Sequence, residues 1–580
     1  MTVHPVTRVR TAQKVAADVR SAPAHAIVAA LAQAAAAIGA PDDFIPQVER
    51  PADVTHGDFA SNAALVLSGR LGRAPREIAA ELVDRIELGS TVVSDVVIAG
   101  PGFLNFRLSD EVLWSGLRTV LALGPDWGRS TATAPLRYNV EFVSANPTGP
   151  LHVAHGRGAA IGDAAASLLE WTGHEVTREF YVNDAGRQIE LLGESIETRW
   201  RQAGGAEIEM PQGGYQGQYV IDIATRLVDE LGADRLESMD RVERLRLFSS
   251  RASELLRAEQ QRDLEEFGVH MDHWFDESSL FATGGVEELV GRLTDSGRAY
   301  EDDGALWLRT TDLGDEKDRV LVKSDGSHTY FVSDIAYHID KAARGFQRAI
   351  DVWGADHHGH VPRMQAALTS LGLPDGFLEV LLIQLVTVMR GGREVRMSKR
   401  AGQFVTLREL YAETGTDVAR YFFLMRRAEV PMTFDLDLAL DTTDANPVYK
   451  VQYAHARMCS VFRRGDVDVL DLAPTDADLA RLDSGTDRQV LMAVLRFPER
   501  VRAAGQARAP YQICSYLEEL AGAVNAWYHE GNLDPSRRLL AEGPSRAARL
   551  CVARAVQLTL GSGLKVLGIS APERLEREAE

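Results

Sequence analysis

The chain has 580 residues, of which 45% are hydrophobic and 25% charged, and its formal charge is −20. That length exceeds one core and favours about three or four domains, while the acidic balance argues against a generic DNA coater without speaking to local basic patches. Three widely spaced cysteines (Cys459, Cys514, Cys551) exclude a disulfide framework and a CxxC-type zinc site.

No run of apolar residues is long enough for a membrane-spanning helix. The opening "MTVHPVTRVRTAQKVAADVR" lacks the apolar core of a secretory signal. Cytoplasmic location is the expectation, with neither membrane nor DNA as partner.

Residues 1–125 read as a small α/β unit. "APAHAIVAALAQAAAAIGA" has helical composition and stops at Gly39, and "APREIAAELVDRI" has helical spacing with Pro75 near its start. "TVVSDVVIAGPGFLNFRLS" alternates like paired strands broken by Gly-Pro-Gly, and "ALGPDWGRSTATAP" reads as a linker.

From Arg137 strand and helix alternate. "RYNVEFVSA" is a buried strand, "HVAHGRGAAIGDAAASLLEWTG" a helix ending at Gly173, "EVTREFYVND" a strand and "AGRQIELLGESIETRWRQ" a helix. This rhythm predicts a parallel sheet that binds ligand at the carboxyl ends of its strands. A charged, mostly helical segment over about 200–295 interrupts it. Strand patterns then resume in "ALWLRT", "RVLVKSDG", "RAIDVWGAD" and "LEVLLIQLVTV", so the sheet is expected to be split by an insertion. Beyond about residue 445 the periodicity is helical throughout, from "NPVYKVQYAHARMCSVFRR" to "PSRAARLCVARAVQLTLGSGLKVLG", which predicts an all-α C-terminal domain.

Two stretches carry chemistry. In "NPTGPLHVAHGRGAA" (146–160) Pro147 and Pro150 stiffen a turn, Gly149 permits it, and a helix begins at once. A strand running into a helix N-terminus makes an anion site. His152 and His155, three apart, share a face there and can donate to phosphate oxygens as charge builds on them. A bare HxxH is also compatible with simple helix capping. It lacks the glutamate and third ligand of a zinc site, and no GxxxxGK[ST] loop is present.

The second stretch, "VRMSKRAGQF" (395–404), is a basic loop after a strand. Lys399 and Arg400, with Arg396, suit a triphosphate, and Ser398 adds a hydroxyl donor. Read alone, it is also an ordinary solvated basic loop. Lysine is scarce, with seven in the whole chain, so one inside a motif carries weight.

Together the two stretches resemble the HIGH and KMSK signatures of class I aminoacyl-tRNA synthetases. "EFVSANPTGPLHVAHGRGAA", "FYVNDAGRQI", "YFVSDIAYHIDK", "VWGADHHGHVPRM", "MSKRAG", "DVARYFFLMR" and "NPVYKVQYAHAR" narrow the resemblance to arginyl-tRNA synthetases of the bacterial type, and the N-terminal "HGDFASNAAL", "APREIAAEL" and "IAGPGFLNF" agree.

The resemblance implies an α/β fold: a Rossmann-type catalytic domain over 131–445 with its insertion, an N-terminal domain (1–125) for the tRNA elbow, and an all-α anticodon-binding domain (446–580) of the kind named for the DALR signature, here Asp417-Val418-Ala419-Arg420. It implies arginine–tRNA ligation: ATP activates arginine to the adenylate, and the arginyl group passes to the terminal ribose of tRNA(Arg), with no covalent enzyme intermediate. The family needs its tRNA for the first step. ATP would arrive with magnesium, with no tightly bound cofactor and no protein metal site, and the chain would act as a monomer.

Carried onto this sequence, His152, His155 and Lys399 are catalytic. Gly149, Leu151, Gly156, Asp356, His357, Met397, Ser398 and Arg400 join them around ATP. Glu141, Ser144, Asn146, Tyr330 and Asp334 bind arginine, with Asp334 and Tyr330 taking the guanidinium, which needs carboxylates. The histidines of "GADHHGH" (His357, His358, His360) lack a matching cysteine or carboxylate cluster for a metal. Tyr453, Arg457, Trp527 and Tyr528 are candidates to stack on anticodon bases. Two positions depart from the signatures: Ala154 stands at the glycine of HIGH and Arg396 at the first lysine of KMSK. They leave room for a specialised or non-ligating paralogue that binds tRNA.

Overall fold

A computed structural model describes residues 23–395, except 52, 54 and 55, and residues 405–575. The expected N-terminal helix is present over 23–37. Helices Ala63–Leu71 and Pro75–Arg85 follow, the latter with its proline in the first turn, where no amide donor is needed. Strand Phe103–Leu108 lies between Phe59–Ser61 and Val93–Ala99, antiparallel to both. Helix Asp110–Leu123 had no counterpart in the sequence reading. Ser109 starts it, its hydroxyl accepting from the Val112 amide.

The catalytic sheet has five parallel strands: β1 (Arg137–Glu141), β2 (Glu175–Val182), β3 (His273–Asp276), β4 (Arg348–Gly354) and β5 (Leu378–Ile383). Their spatial order is β5-β4-β1-β2-β3. The order reverses between β1 and β4, which is where doubly wound sheets bind ligand. Helix α1 (Val153–Trp171) is buried along most of its length, because its glycines and alanines admit close neighbours. A Cβ on Gly162 would lie 2.2 Å from Phe142, and one on Gly156 would lie 2.6 Å from Leu407.

Three expectations about the sheet are corrected. "ALWLRT" and "RVLVKSDG" do not rejoin it: Ala305–Leu308 and Arg319–Val322 form a separate antiparallel sheet with Ala299–Asp302. Asp303 and Gly304, both at positive φ, close a tight hairpin there and set antiparallel pairing. Conversely, β3 lies inside the segment expected to be mostly helical. "LEVLLIQLVTV" also divides, into β5 and Val386–Arg390, and the latter pairs with Met432–Asp435.

The insertion has its own core, where Leu192, Ile196 and Trp200 of α2 (Arg187–Ala203) meet Phe248, Ala252 and Leu256 of α3 (Arg241–Glu266). Helix α4 (Tyr330–Ala343) covers the sheet beside β4. The region beyond 445 is helical, as read, with α6 (Pro447–Gly465) and α7 (Arg546–Val566) packed together after α5 (Thr416–Leu424). One continuous apolar core runs from the N-terminal unit through α1 into these helices.

Candidate active site

At the end of β1, Val143 and Ser144 both take positive φ, 71° and 40°. For non-glycine residues each such position costs about 1–3 kcal/mol, and such strain gathers at functional sites. The distortion turns Ser144 back: its hydroxyl donates to Glu141 Oε1 (2.8 Å) and accepts from the Tyr181 amide of β2 (3.1 Å). The Asn146 amide group donates to Gln188 Oε1 (2.7 Å).

His152 is the residue before α1, and its backbone N–H donates to His155 Nδ1 (3.3 Å). The two rings stack with centroids 3.7 Å apart. With Nδ1 accepting, a neutral His155 carries its proton on Nε2. Both rings therefore stand at the positive end of α1, where phosphate is favoured. Ala154, on the same first turn, is half-buried.

Residues 396–404, with Arg396, Met397, Ser398, Lys399 and Arg400, lie outside the described residues. Their flanks are described. On the near side the Val395 amide donates to the Val388 carbonyl (2.9 Å). On the far side Thr406 bridges His152 in antiparallel fashion, and the Leu407 amide donates to the Leu151 carbonyl (2.9 Å). The far flank is thus packed beside the histidine pair. Arg157, which follows that pair, is fully buried and donates to the carbonyls of Gln384, Arg427 and Val430 at 2.8–2.9 Å. It ties α1 to the strand segment before the second motif.

Beneath Glu141 lies a buried network that the sequence reading missed. Lys341 is completely buried, and its ammonium donates to Glu141 Oε2 (2.7 Å) and Asp351 Oδ1 (2.9 Å). His338 joins it, with Nε2 2.8 Å from Asp351 Oδ2 and Nδ1 2.7 Å from the Asp334 carbonyl. Burial pushes the Glu141 carboxyl up, against the pull of Lys341. Burial also presses on Asp351, but Lys341 and His338 prevail and bring it to about 2. The signal was present in the sequence: Asp334, His338 and Lys341 are spaced by four and three, one face of a helix, and lysine is rare here.

Asp334 accepts from His360 Nε2 (3.0 Å). Its neighbour Glu277, just beyond β3, is also new. Burial, reinforced by the Asp334 charge, raises its carboxyl to about 7, against hydrogen bonds from Tyr181 and Ser333. Asp334 and Glu277 bring two carboxyl groups close to Tyr181, whose ring lies 4.6 Å from that of Tyr337, and carboxylates beside aromatic rings suit a planar cation. Tyr330, at the first position of α4, is 72% exposed.

Asp356, His357 and His358 are exposed on the turn after β4, and Trp353 faces the rings of His357 and His360. Among the described residues no group of three or more His, Cys, Asp or Glu is arranged to hold a metal ion. Gly149 packs under Tyr219 of the insertion, whose hydroxyl donates to the Thr148 carbonyl (2.9 Å). Leu151 is fully buried.

The Asp417–Arg420 signature lies on α5 and works as a clasp. Arg420 is fully buried and donates to Asp163 of α1 (2.5 Å), to the Phe267 and Gly268 carbonyls (3.2 Å each) and to the Leu567 carbonyl at the end of α7 (3.0 Å). Asp417 accepts from Gln452 of α6 (2.8 Å) and from the Ser570 amide (3.0 Å).

In the helical domain a cleft of about 620 Å³ is lined by Arg457, Arg463, Arg464, Arg537, Arg538 and Arg574. The Arg457 guanidinium sits 4.6 Å from the ring centres of Tyr453 and Tyr528 and donates to Asn525 Oδ1 (2.7 Å). Trp527 is corrected from a stacking platform to a core residue. It is 4% exposed, its indole N–H donates to Asp487 Oδ1 (2.7 Å), and it contributes only floor to the cleft.

Three family models match the chain: the arginyl tRNA synthetase N terminal domain over 24–108, the catalytic domain of class I (R) tRNA synthetases over 129–423, and the DALR anticodon binding domain over 451–575. The arginine–tRNA ligase of Bacillus subtilis (strain 168) is 44% identical over 539 residues, covering 92% of this chain and 96% of that one. That of Thioalkalivibrio sulfidiphilus is 45% identical over 563 residues, covering 91% and 95%. The solved arginyl-tRNA synthetase of Thermus thermophilus superposes with a TM-score of 0.71 at 25% identity, covering 95% of this chain and all of that one.

Proposed function

The chain belongs to the arginyl-tRNA synthetase family and is an aminoacyl-tRNA ligase for arginine, and we propose that its residues divide the two steps as follows. A carboxylate oxygen of arginine attacks the α-phosphorus of ATP; a new P–O bond forms and pyrophosphate leaves with the electron pair of the bond that breaks. A hydroxyl of the terminal ribose of tRNA(Arg) then attacks the activated carbonyl, forms the ester and releases AMP. No side chain acts as nucleophile, so positioning and charge stabilisation carry the catalysis.

His155 Nε2 and His152, at the start of α1, donate to phosphate oxygens as charge develops. Lys399, with Met397, Ser398 and Arg400, holds the outer phosphates. Gly149, Leu151 and Gly156 shape the nucleotide's bed, and Asp356 and His357 border it. Magnesium accompanies ATP as part of the substrate, held by phosphate oxygens and water.

Asp334 and Glu277 take the guanidinium, with Tyr330 closing from the rim. Ser144 and Asn146 take the α-amino and carboxylate end, with Glu141 beside them. The units over 1–125, 131–445 and 446–580 serve the tRNA elbow, the chemistry and the anticodon, the last through Tyr453, Arg457 and Tyr528. The chain works as a monomer in the cytoplasm.

What supports this most is the stacked histidine pair after β1, at the switch point of the sheet, together with the neighbouring carboxyl groups of Asp334 and Glu277. Charging of total tRNA with each labelled amino acid tests it. Esterification of arginine alone, lost in Asp334→Ala, is expected; charging with any other amino acid overturns it.

A further inference from the structure

The C-terminal turns of α3 touch the turn of the first motif and the helix that follows the second. Gln260, 1% exposed, donates from Nε2 to the carbonyls of Asn146 (3.1 Å) and Gly149 (3.0 Å), bracketing the turn that leads to His152. One helical turn on, Asp263 accepts from Arg408 Nε (2.8 Å), and Arg408 directly follows the residue stitched to Leu151. Glu266 accepts from the Tyr411 hydroxyl (2.7 Å) on the same short helix as Arg408. Gln260, Asp263 and Glu266 recur every three residues and so share a face. The middle turns of α3 are fixed in the insertion's separate core through Phe248, Ala252 and Leu256.

We propose that Gln260 and Asp263 are positioning residues, and that α3 holds the 146–149 turn and the chain leaving the second motif in one register for ATP. A buried amide that donates to two carbonyls three residues apart fixes the distance between them. Without it both carbonyls lose a buried donor, and the turn is free to relax away from the nucleotide. The acid beneath does the same for the far flank of the second motif. The insertion is thereby part of the ATP site's framework without touching the nucleotide. The proposal rests on the reading of His152 and Lys399 as ATP-directed.

The test uses the full chain, with ATP titrated calorimetrically and ATP–pyrophosphate exchange run in parallel. Gln260→Met should weaken ATP binding about tenfold, with the melting temperature held close to that of the unaltered chain. Arg408→Met should act similarly. Because the two grips serve one register, the double variant should cost no more than the larger single loss. Leu517→Ala, at a fully buried position in the core of the C-terminal helical domain, controls for general destabilisation. Unchanged ATP affinity in Gln260→Met overturns the proposal. So does a loss matched by Leu517→Ala at equal drop in melting temperature, or full multiplication of the two single effects. If the unaltered chain binds ATP yet does not charge arginine, the functional reading fails while the ATP titrations still decide this proposal. If it binds no ATP, both fail.

Discussion

The amide of Leu407 donates to the carbonyl of Leu151 at 2.9 Å, which stitches the exit of the basic loop to the residue before His152. The same leucine packs over Gly156, where an added Cβ would fall 2.6 Å from its Cδ1 and 3.1 Å from Phe423. Gly156→Ala must therefore push Leu407 away and loosen the stitch. Overpacking of this kind costs about 1–3 kcal/mol. The expected result is a lower melting temperature together with a kcat/KM for ATP reduced about tenfold. Wild-type kinetics in this variant would show that the two motifs do not depend on the contact.

With Glu277 taking the guanidinium as proposed, arginine binding should have a pH dependence of definite sign. Its carboxyl is raised to about 7, so below that pH the empty pocket holds a proton that the guanidinium must expel. Arginine affinity should fall by up to about tenfold per pH unit below 7 and level off above it. Calorimetry near pH 6.5 in two buffers of different ionisation enthalpy should register proton release. Glu277→Gln should flatten the profile and weaken arginine binding by about 1.5–3 kcal/mol at pH 8. A flat profile in the unaltered chain would remove Glu277 from the pocket.

Lys341 stands between two buried carboxylates, at 2.7 Å from Glu141 and 2.9 Å from Asp351. Lys341→Met leaves both facing each other without a cation, and breaking a buried pair costs about 3–5 kcal/mol. Pairing it with Asp351→Asn should recover a large part of the loss. Urea unfolding checks both; a single variant as stable as the parent would contradict the network.

Arg457 is pinned between Tyr453 and Tyr528 before any RNA arrives. Arg457→Ala should raise KM for tRNA about tenfold, with KM for ATP unchanged, and should make tRNA binding less salt-dependent. Equal effects on the ATP and tRNA constants would place the residue in the fold rather than the RNA interface.

Much of this was legible in the sequence where the signal is local. The histidine pair, the helix after it and the stop at Gly173 follow from spacing and turn chemistry over one stretch. The sheet was less legible. Strand β3 is four residues, "HWFD", with no apolar run, set among helices, and only its pairing with β2 makes it a strand.

Glu277 was invisible for the same reason, since its neighbours Asp334 and Tyr181 come from distant segments. Trp527 shows the opposite error. An aromatic on an amphipathic helix has no preferred side until its partner is known, and Asp487, 40 positions away, decides that it faces inward. Lys341 was readable from its rarity and its spacing from Asp334, but only a buried partner on β4 gives that pattern meaning.

ATP–pyrophosphate exchange with each amino acid, run with and without total tRNA, bears most directly on the function. Exchange with arginine alone, and only when tRNA is present, is the expected result, and it would also show that Ala154 is compatible with activation. Exchange driven by another amino acid, or none at all from folded protein that still binds tRNA, would overturn the assignment.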